Sequence, residues 1–306
     1  MIEIFSACPP STHIARARYL ACVADVARWS ERAGWTGILV PSDNRLLDPW
    51  MLSQVIVQST ETLCPLVAVQ PLYMHPYSVA KQVTTFGYLY GRRLFLNMAA
   101  GRLQNDLEAL GDTIPDAERG ARLVEYTAMV MRLLDNGPVT LNGAFYNSVS
   151  LKLSPPLSKA LRPGVFVSGS PDAVIDAATA TGATAITDPE PPGGQRPAHR
   201  GSRRGIRVGI ITRDRGDHAW TIARSRFPED RRDRMTNEET PYWLVPCQHG
   251  QAMCPYLVGS YATVANELRR HLALGYQTFV LDVPSSPEEL EHINTAFTRA
   301  QLAVAV

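Results

Sequence analysis
Surplus charge of either sign is absent from this chain: 30 Lys and Arg stand against 29 Asp and Glu, a formal net charge of +1 over 306 residues. A near-neutral chain has no global attraction for nucleic acid or for an acidic membrane, so neither is an expected partner. Cysteine is scarce and odd in number, five in all, which argues against a disulfide framework. Cys247, His249 and Cys254 have metal-ligating chemistry, but their spacing fits no common zinc pattern, and no metal is expected. No apolar run reaches the ~18 residues that a membrane-spanning helix needs. The opening MIEIFSACPP runs straight into a strand-like segment, without a charged stretch leading into a long apolar one. The expectation is a soluble, cytoplasmic protein, and no internal repeat is evident.

What the chain does contain is 45% apolar residues, enough for a substantial core. These residues recur as short runs that end in polar or glycine-containing loops: TGILVPSDNRLLD at Thr36–Asp48, LCPLVAVQPLYMHP at Leu63–Pro76 and RRLFLNMAAG at Arg92–Gly101. Helical periodicity fills the intervals. Strands are expected at Ile2–Ser6, Ile38–Val40, Pro65–Val69, Leu94–Met98, Val165–Val167, Ala183–Ile186, Ile206–Ile211 and Thr278–Leu281. Gly34, Gly182 and Gly275 close the helices that precede strands, and Pro49 suits a first helical turn. A small hairpin is expected at Val139–Val149 around Asn142–Gly143. Eight strands alternating with helices predict one α/β domain over 1–306, a (β/α)8 TIM barrel, with a doubly wound sheet as the runner-up.

Two stretches break the rhythm. Near 188–205 a proline- and glycine-rich segment stands where a regular barrel has a helix. It carries Arg196, Arg200, Arg203, Arg204 and His199, read either as a solvated loop or as a docking patch for an acidic carrier protein. The segment near 224–256, polar and then aromatic, is expected as an insertion over the site, with Tyr242, Trp243 and Tyr256 forming a lid on an apolar substrate or packing at a subunit interface.

Ala33–Ser42 (AGWTGILVPS), Asp48–Trp50, Leu66–Pro71 (LVAVQP), Gly91–Gly101 (GRRLFLNMAAG), Leu107–Asp112 (LEALGD), Glu118–Arg119, Val167–Ala173 (VSGSPDA), Gly205–Ile210 (GIRVGI), Val258–Leu268 (VGSYATVANEL) and Leu272–Pro284 follow one another through almost the whole chain. In this order they resemble the luciferase-like flavin-dependent monooxygenases, nearest the alkanesulfonate monooxygenase branch. The resemblance implies a luciferase-like (β/α)8 barrel, a homodimer or homotetramer, and reduced FMN supplied by a separate flavin reductase. The deazaflavin F420 is the alternative cofactor, and a non-catalytic binding or scaffold subunit is the alternative role. The expected activity is oxygenation, through a flavin peroxide, of a specialised natural-product-like substrate that is free or tethered to a carrier protein.

Local chemistry suggests where such a cofactor would sit. Ser168, Gly169 and Ser170 precede a helix start whose N–H groups suit a phosphate. Asn97, at the end of the fourth strand, can hydrogen-bond a flavin carbonyl or cap a loop. Ala68 and Val69 would wall the ring. His75 and His13 are candidates for proton transfer, each also readable as a loop residue. Arg207 is a candidate partner for substrate or phosphate. Asp43, Asn44, Arg45 and Trp243 are expected at the substrate.

The chain departs from the alkanesulfonate branch at several functional positions. Leu46 stands where that branch has cysteine, Gly209 where it has a histidine, Gly120 where it has a phosphate-binding tyrosine, and Ala100 where it has threonine. Val283 and Pro284 replace a tyrosine after the eighth strand, and the mobile loop rebuilt as Gly250–Tyr256 carries no arginine. Arg207 alone matches a neighbouring arginine. Desulfonation of a sulfonate is therefore not expected.

Overall fold
The computed structural model describes residues 2–99, 104–169, 171–189, 203–228 and 240–302. Eight parallel strands close a barrel: β1 (Glu3–Ala7), β2 (Gly37–Val40), β3 (Cys64–Val69), β4 (Phe95–Ala99), β5 (Gly164–Ser168), β6 (Thr184–Thr187), β7 (Arg204–Arg207) and β8 (Tyr276–Val280). Each pairs with its neighbour in sequence, and β8 closes the ring on β1 through Glu3–Thr278 and Phe5–Val280. Strands buried on both faces carry near-continuous apolar runs, which is why these segments were legible.

Alternation divides each run between two cores. Phe5, Leu39, Leu66, Phe95, Phe166, Ile186 and Val280 point inward and plug the barrel. The Phe5 ring meets those of Phe95 and Phe166 edge-on at 5.0 and 5.3 Å. Residues of opposite parity, such as Val67, Leu96, Met98 and Val167, pack beneath the helices Pro76–Tyr90, Asp116–Leu133 and Pro171–Thr181. Asp48 starts the helix Pro49–Ser59 by accepting from the N–H groups of Trp50 and Met51 at 2.9 and 3.0 Å. Gly91, left-handed at φ 57°, ends the helix Pro76–Tyr90. The expected hairpin is present as Val139–Asn142 paired with Asn147–Leu151.

The structure corrects the seventh strand. The run expected at Ile206–Ile211 is two strands, because only Arg204–Arg207 belongs to the barrel. The Val208 N–H still donates to Val280 O at 3.0 Å, and the next, Gly209, donates to Pro255 O at 2.9 Å. From there Gly209–Arg213 pairs in parallel with Tyr256–Ser260, which pairs antiparallel with Tyr242–Trp243. This three-stranded sheet is flanked by the helices Gly216–Arg226, Tyr261–Ala273 and Pro287–Leu302.

Within the described part of the 224–256 insertion, Trp243 and Tyr256 are accordingly core rather than lid. Trp243, 1% exposed, packs against Trp220 and Phe227 at 5.6 and 5.8 Å between ring centroids. Of the segment near 188–205, residues 190–202 lie outside the described residues, and so do Arg196, His199 and Arg200 of the basic cluster. Among the described residues no helix is long and apolar enough to cross a membrane.

Candidate functional site
The C-terminal ends of the barrel strands collect side chains of the same parity as the plug, one layer above it. Ala68 follows Leu66, Asn97 follows Phe95, and Ser168 follows Phe166. Ladder register sets Asn97 beside Ala68 on one side and Phe166 on the other. The Asn97 Oδ1 is buried and, among the described residues, has no hydrogen-bond donor. Left in that state, such an acceptor costs about 1–3 kcal/mol, so this amide is suited to a ligand that brings an N–H.

Beside it, the loops after β2 and β3 frame a cleft of about 300 Å³, lined by Ser42–Asn44, Leu46–Trp50, Ala68–Gln70, Tyr73, Met74 and Leu110. Gln70 ties the two loops together, its Nε2 donating to Ser42 O at 3.2 Å. Asp43 accepts from the Arg45 backbone N–H at 2.7 Å and pairs with its guanidinium at 3.0 Å. The cleft thus combines apolar walls with a few fixed polar groups, the usual make-up of a small-molecule site.

Ser168 and Gly169 lead from β5 toward the helix Pro171–Thr181, where exposed backbone donors favour an anion. Ser170 lies outside the described residues. Among the described residues no group of His, Cys, Asp and Glu is placed to hold a metal ion.

The remaining candidates are distributed differently. Arg207 ends β7 and lies near Cys254, a buried thiol whose pKa is raised by burial and by Asp282 and is opposed by the Arg207 charge. Arg207 is paired through its backbone with Val280, and among the described residues its guanidinium forms no hydrogen bond or ion pair. His75 is exposed and is not part of the cleft lining. It caps the helix Pro76–Tyr90, its Nδ1 accepting from the Tyr77 N–H at 3.2 Å. His13 ends a 3-10 turn, Ser11–His13, after β1, and its side chain lies outside the described residues. Trp243 belongs to the core described above, with its ring among Trp220, Phe227 and Tyr256, and is separated from the cleft.

Two features were missed in the sequence. Gln70 sits directly after β3, and that position was signal enough to single it out. Tyr256 donates to Asp282 Oδ2 at 2.7 Å. No spacing rule links that pair, because it joins the outer sheet to the end of β8.

Residues 2–204 match the family model described as luciferase-like monooxygenase. The chain is 28% identical over 325 aligned residues, 96% of its length and 95% of the relative's, to BtrO of Niallia circulans. That protein is a monooxygenase named for a 4-(gamma-L-glutamylamino)butanoyl group on the acyl-carrier protein BtrI. The fold of the present chain is shared with the monooxygenase RslO1 from Streptomyces bottropensis, at TM-score 0.70 and 16% identity over the whole of both chains. It is shared too with an F420-dependent secondary alcohol dehydrogenase, at TM-score 0.66 and 13% identity over 98% of this chain and 99% of that one.

Proposed function
Because the chain belongs to the luciferase-like monooxygenase family, we propose that it is a two-component monooxygenase that takes reduced FMN from a separate reductase and oxygenates an acyl group carried on an acyl-carrier protein. The observation that carries the cofactor assignment is the unpartnered, buried Asn97 Oδ1 at the barrel mouth, between the apolar cleft and the start of the helix after β5. The carrier-bound substrate rests on the likeness to BtrO along nearly the full length of both chains.

The residues fit the cofactor. Ala68 presents an apolar wall to a flavin ring with Val69 behind it in the helix-side core, the Asn97 amide meets its polar edge, and Ser168 and Gly169 approach its phosphate at the helix start. Bound reduced FMN supplies the oxygen-activating chemistry. The chain's own part is to orient and to exclude water. Leu46, Leu47, Trp50 and Leu110 form the apolar side of the cleft, and Asp43, Asn44 and Gln70 hold the polar end of the substrate. Gly209 cannot stand in for the missing histidine, because it lies past the end of β7 in the outer sheet.

Trp50, in the cleft wall, gives the test its signal. Titration with FMN, oxidised and then reduced under nitrogen, is expected to quench tryptophan fluorescence more tightly for the reduced form. Binding of F420 in place of FMN would replace the cofactor assignment. Binding of neither would leave a scaffold subunit.

A further inference from the structure
A second cleft, of about 480 Å³, opens on the opposite, N-terminal face of the barrel. It lies among the starts of β1, β4, β5 and β6 and the 3-10 turn Lys159–Leu161. Among the described residues four cations line it, Arg93, Lys159, Arg162 and Arg203, against one carboxylate, Glu3. Two of these five charges are already engaged: Glu3 accepts from Thr278 Oγ1 at 3.2 Å, and Arg162 is paired with Asp135.

Arg93 is held in place without being neutralised. Its Nε donates to Arg162 O at 2.9 Å, and its guanidinium lies 4.6 Å from the centre of the Phe95 ring. Gly164 makes that approach possible, since a Cβ there would stand 2.4 Å from the Phe95 ring and 3.4 Å from an Arg93 terminal nitrogen. Among the described residues the terminal nitrogens of Arg93, the Lys159 ammonium and the Arg203 guanidinium form no hydrogen bond or ion pair. Met131, Pro163 and Val165 supply an apolar flank.

We propose that this cleft binds a small organic phosphate, with its phosphate on Arg93, Lys159 and Arg203 and an apolar body against Phe95, Met131 and Pro163. Like charges gathered around a recess repel one another until an anion enters. A guanidinium pre-oriented over a ring keeps its terminal fork free for the bidentate contact that phosphate favours. The recess is sized for a small molecule and not for a protein surface. It opens away from the flavin face, so the inference does not depend on the proposed activity.

AMP is the probe, titrated into the full chain by calorimetry with phosphorus NMR in parallel. The Lys159→Gln/Arg203→Gln double variant keeps its fold, because neither side chain makes a hydrogen bond or ion pair among the described residues. Its unfolding midpoint checks this. AMP is expected to bind, to bind about tenfold or more weakly in the double variant, and to weaken as salt rises. Ser168→Ala, on the opposite face, is expected to leave that affinity unchanged. Absence of binding at millimolar AMP would overturn the proposal. So would an affinity that falls in Ser168→Ala and ignores the loss of Lys159 and Arg203, since AMP would then occupy the flavin-phosphate position.

Discussion

The ring of Tyr256 stands directly over the backbone of Gly209: a Cβ at Gly209 would lie 2.3–2.4 Å from three of its ring carbons. Tyr256 is 1% exposed, edge-on to Phe227 at 5.0 Å, and its hydroxyl is bonded to Asp282. The ring therefore has no free side to move toward. Gly209→Ala is expected to destabilise the protein by about 2–3 kcal/mol through overpacking, read as a lower urea midpoint. Gly209→His, which would restore the family's residue, is expected to cost more and to confer no activity on sulfonates.

The same pair marks where sequence reading reached its limit. Gly205–Ile211 is apolar apart from Arg207, and nothing in it signals that the chain leaves the barrel after that residue. The departure is set by Pro255, whose carbonyl takes the Gly209 N–H, and by Tyr256, whose strand is a five-residue segment directly behind it. In the sequence Trp243 reads equally as a lid residue or as a subunit contact, because an aromatic cluster in an insertion looks the same whether it is exposed or packed. Only its contact with Trp220 and Phe227 decides. The barrel strands through β6 were legible because burial on both faces leaves only apolar residues to place. Ala68, Asn97 and Ser168 could be placed at the barrel mouth because strand ends in such a barrel reach one face, whereas Val69 has the other parity and packs with the helices. His75 lay beside those positions, but the proline after it signals a helix start, and capping is what its ring does.

Asn97→Ala separates function from stability. A buried carbonyl oxygen without a donor costs stability rather than adding to it, so the variant is expected to unfold at the same urea concentration or a higher one. Its affinity for reduced FMN is expected to fall about tenfold, the equivalent of ~1.5 kcal/mol for one lost hydrogen bond. Fluorescence titration and urea unfolding on the same preparation measure both. Equal loss of stability and affinity would mean that Asn97 is only a packing residue.

Cys8, 1% exposed after β1, predicts an alkaline limit. Burial is the main cause that pushes its thiol from 9.0 up to about 12, partly offset by a hydrogen bond with Tyr19. A raised folded pKa means that the protonated thiol is favoured by folding. That stability is complete below pH 9 and is lost as the pH rises toward about 12, because the unfolded thiol ionises first. Urea midpoints are expected to hold steady to pH 9 and then decline, less steeply in Cys8→Ala. At pH 8 Cys8 is also expected to resist thiol reagents until the protein is unfolded.

Asp112 gives the opposite dependence at the acid end. Both its carboxylate oxygens accept from Arg122 at 2.9 Å, and Arg119 Nε approaches at 3.4 Å. The Asp112 and Arg122 side chains are 2% and 7% exposed. The Arg122 bond is the main cause that holds the Asp112 pKa below the usual carboxylate value. A lowered folded pKa means that the charged form is favoured by folding. The stability it brings is therefore present above about pH 4, the unfolded carboxylate value, and is lost as the pH falls through the lower folded one. Asp112→Asn removes that dependence and leaves Arg122 buried without a counter-charge, at a cost of about 3–5 kcal/mol at neutral pH. Because the pair anchors the segment after Leu110, a wall of the cleft, the variant is also expected to weaken ligand binding there. Urea unfolding of both proteins from neutral pH into acid is the measurement. A variant with wild-type stability at neutral pH would show that the pair only offsets its own desolvation.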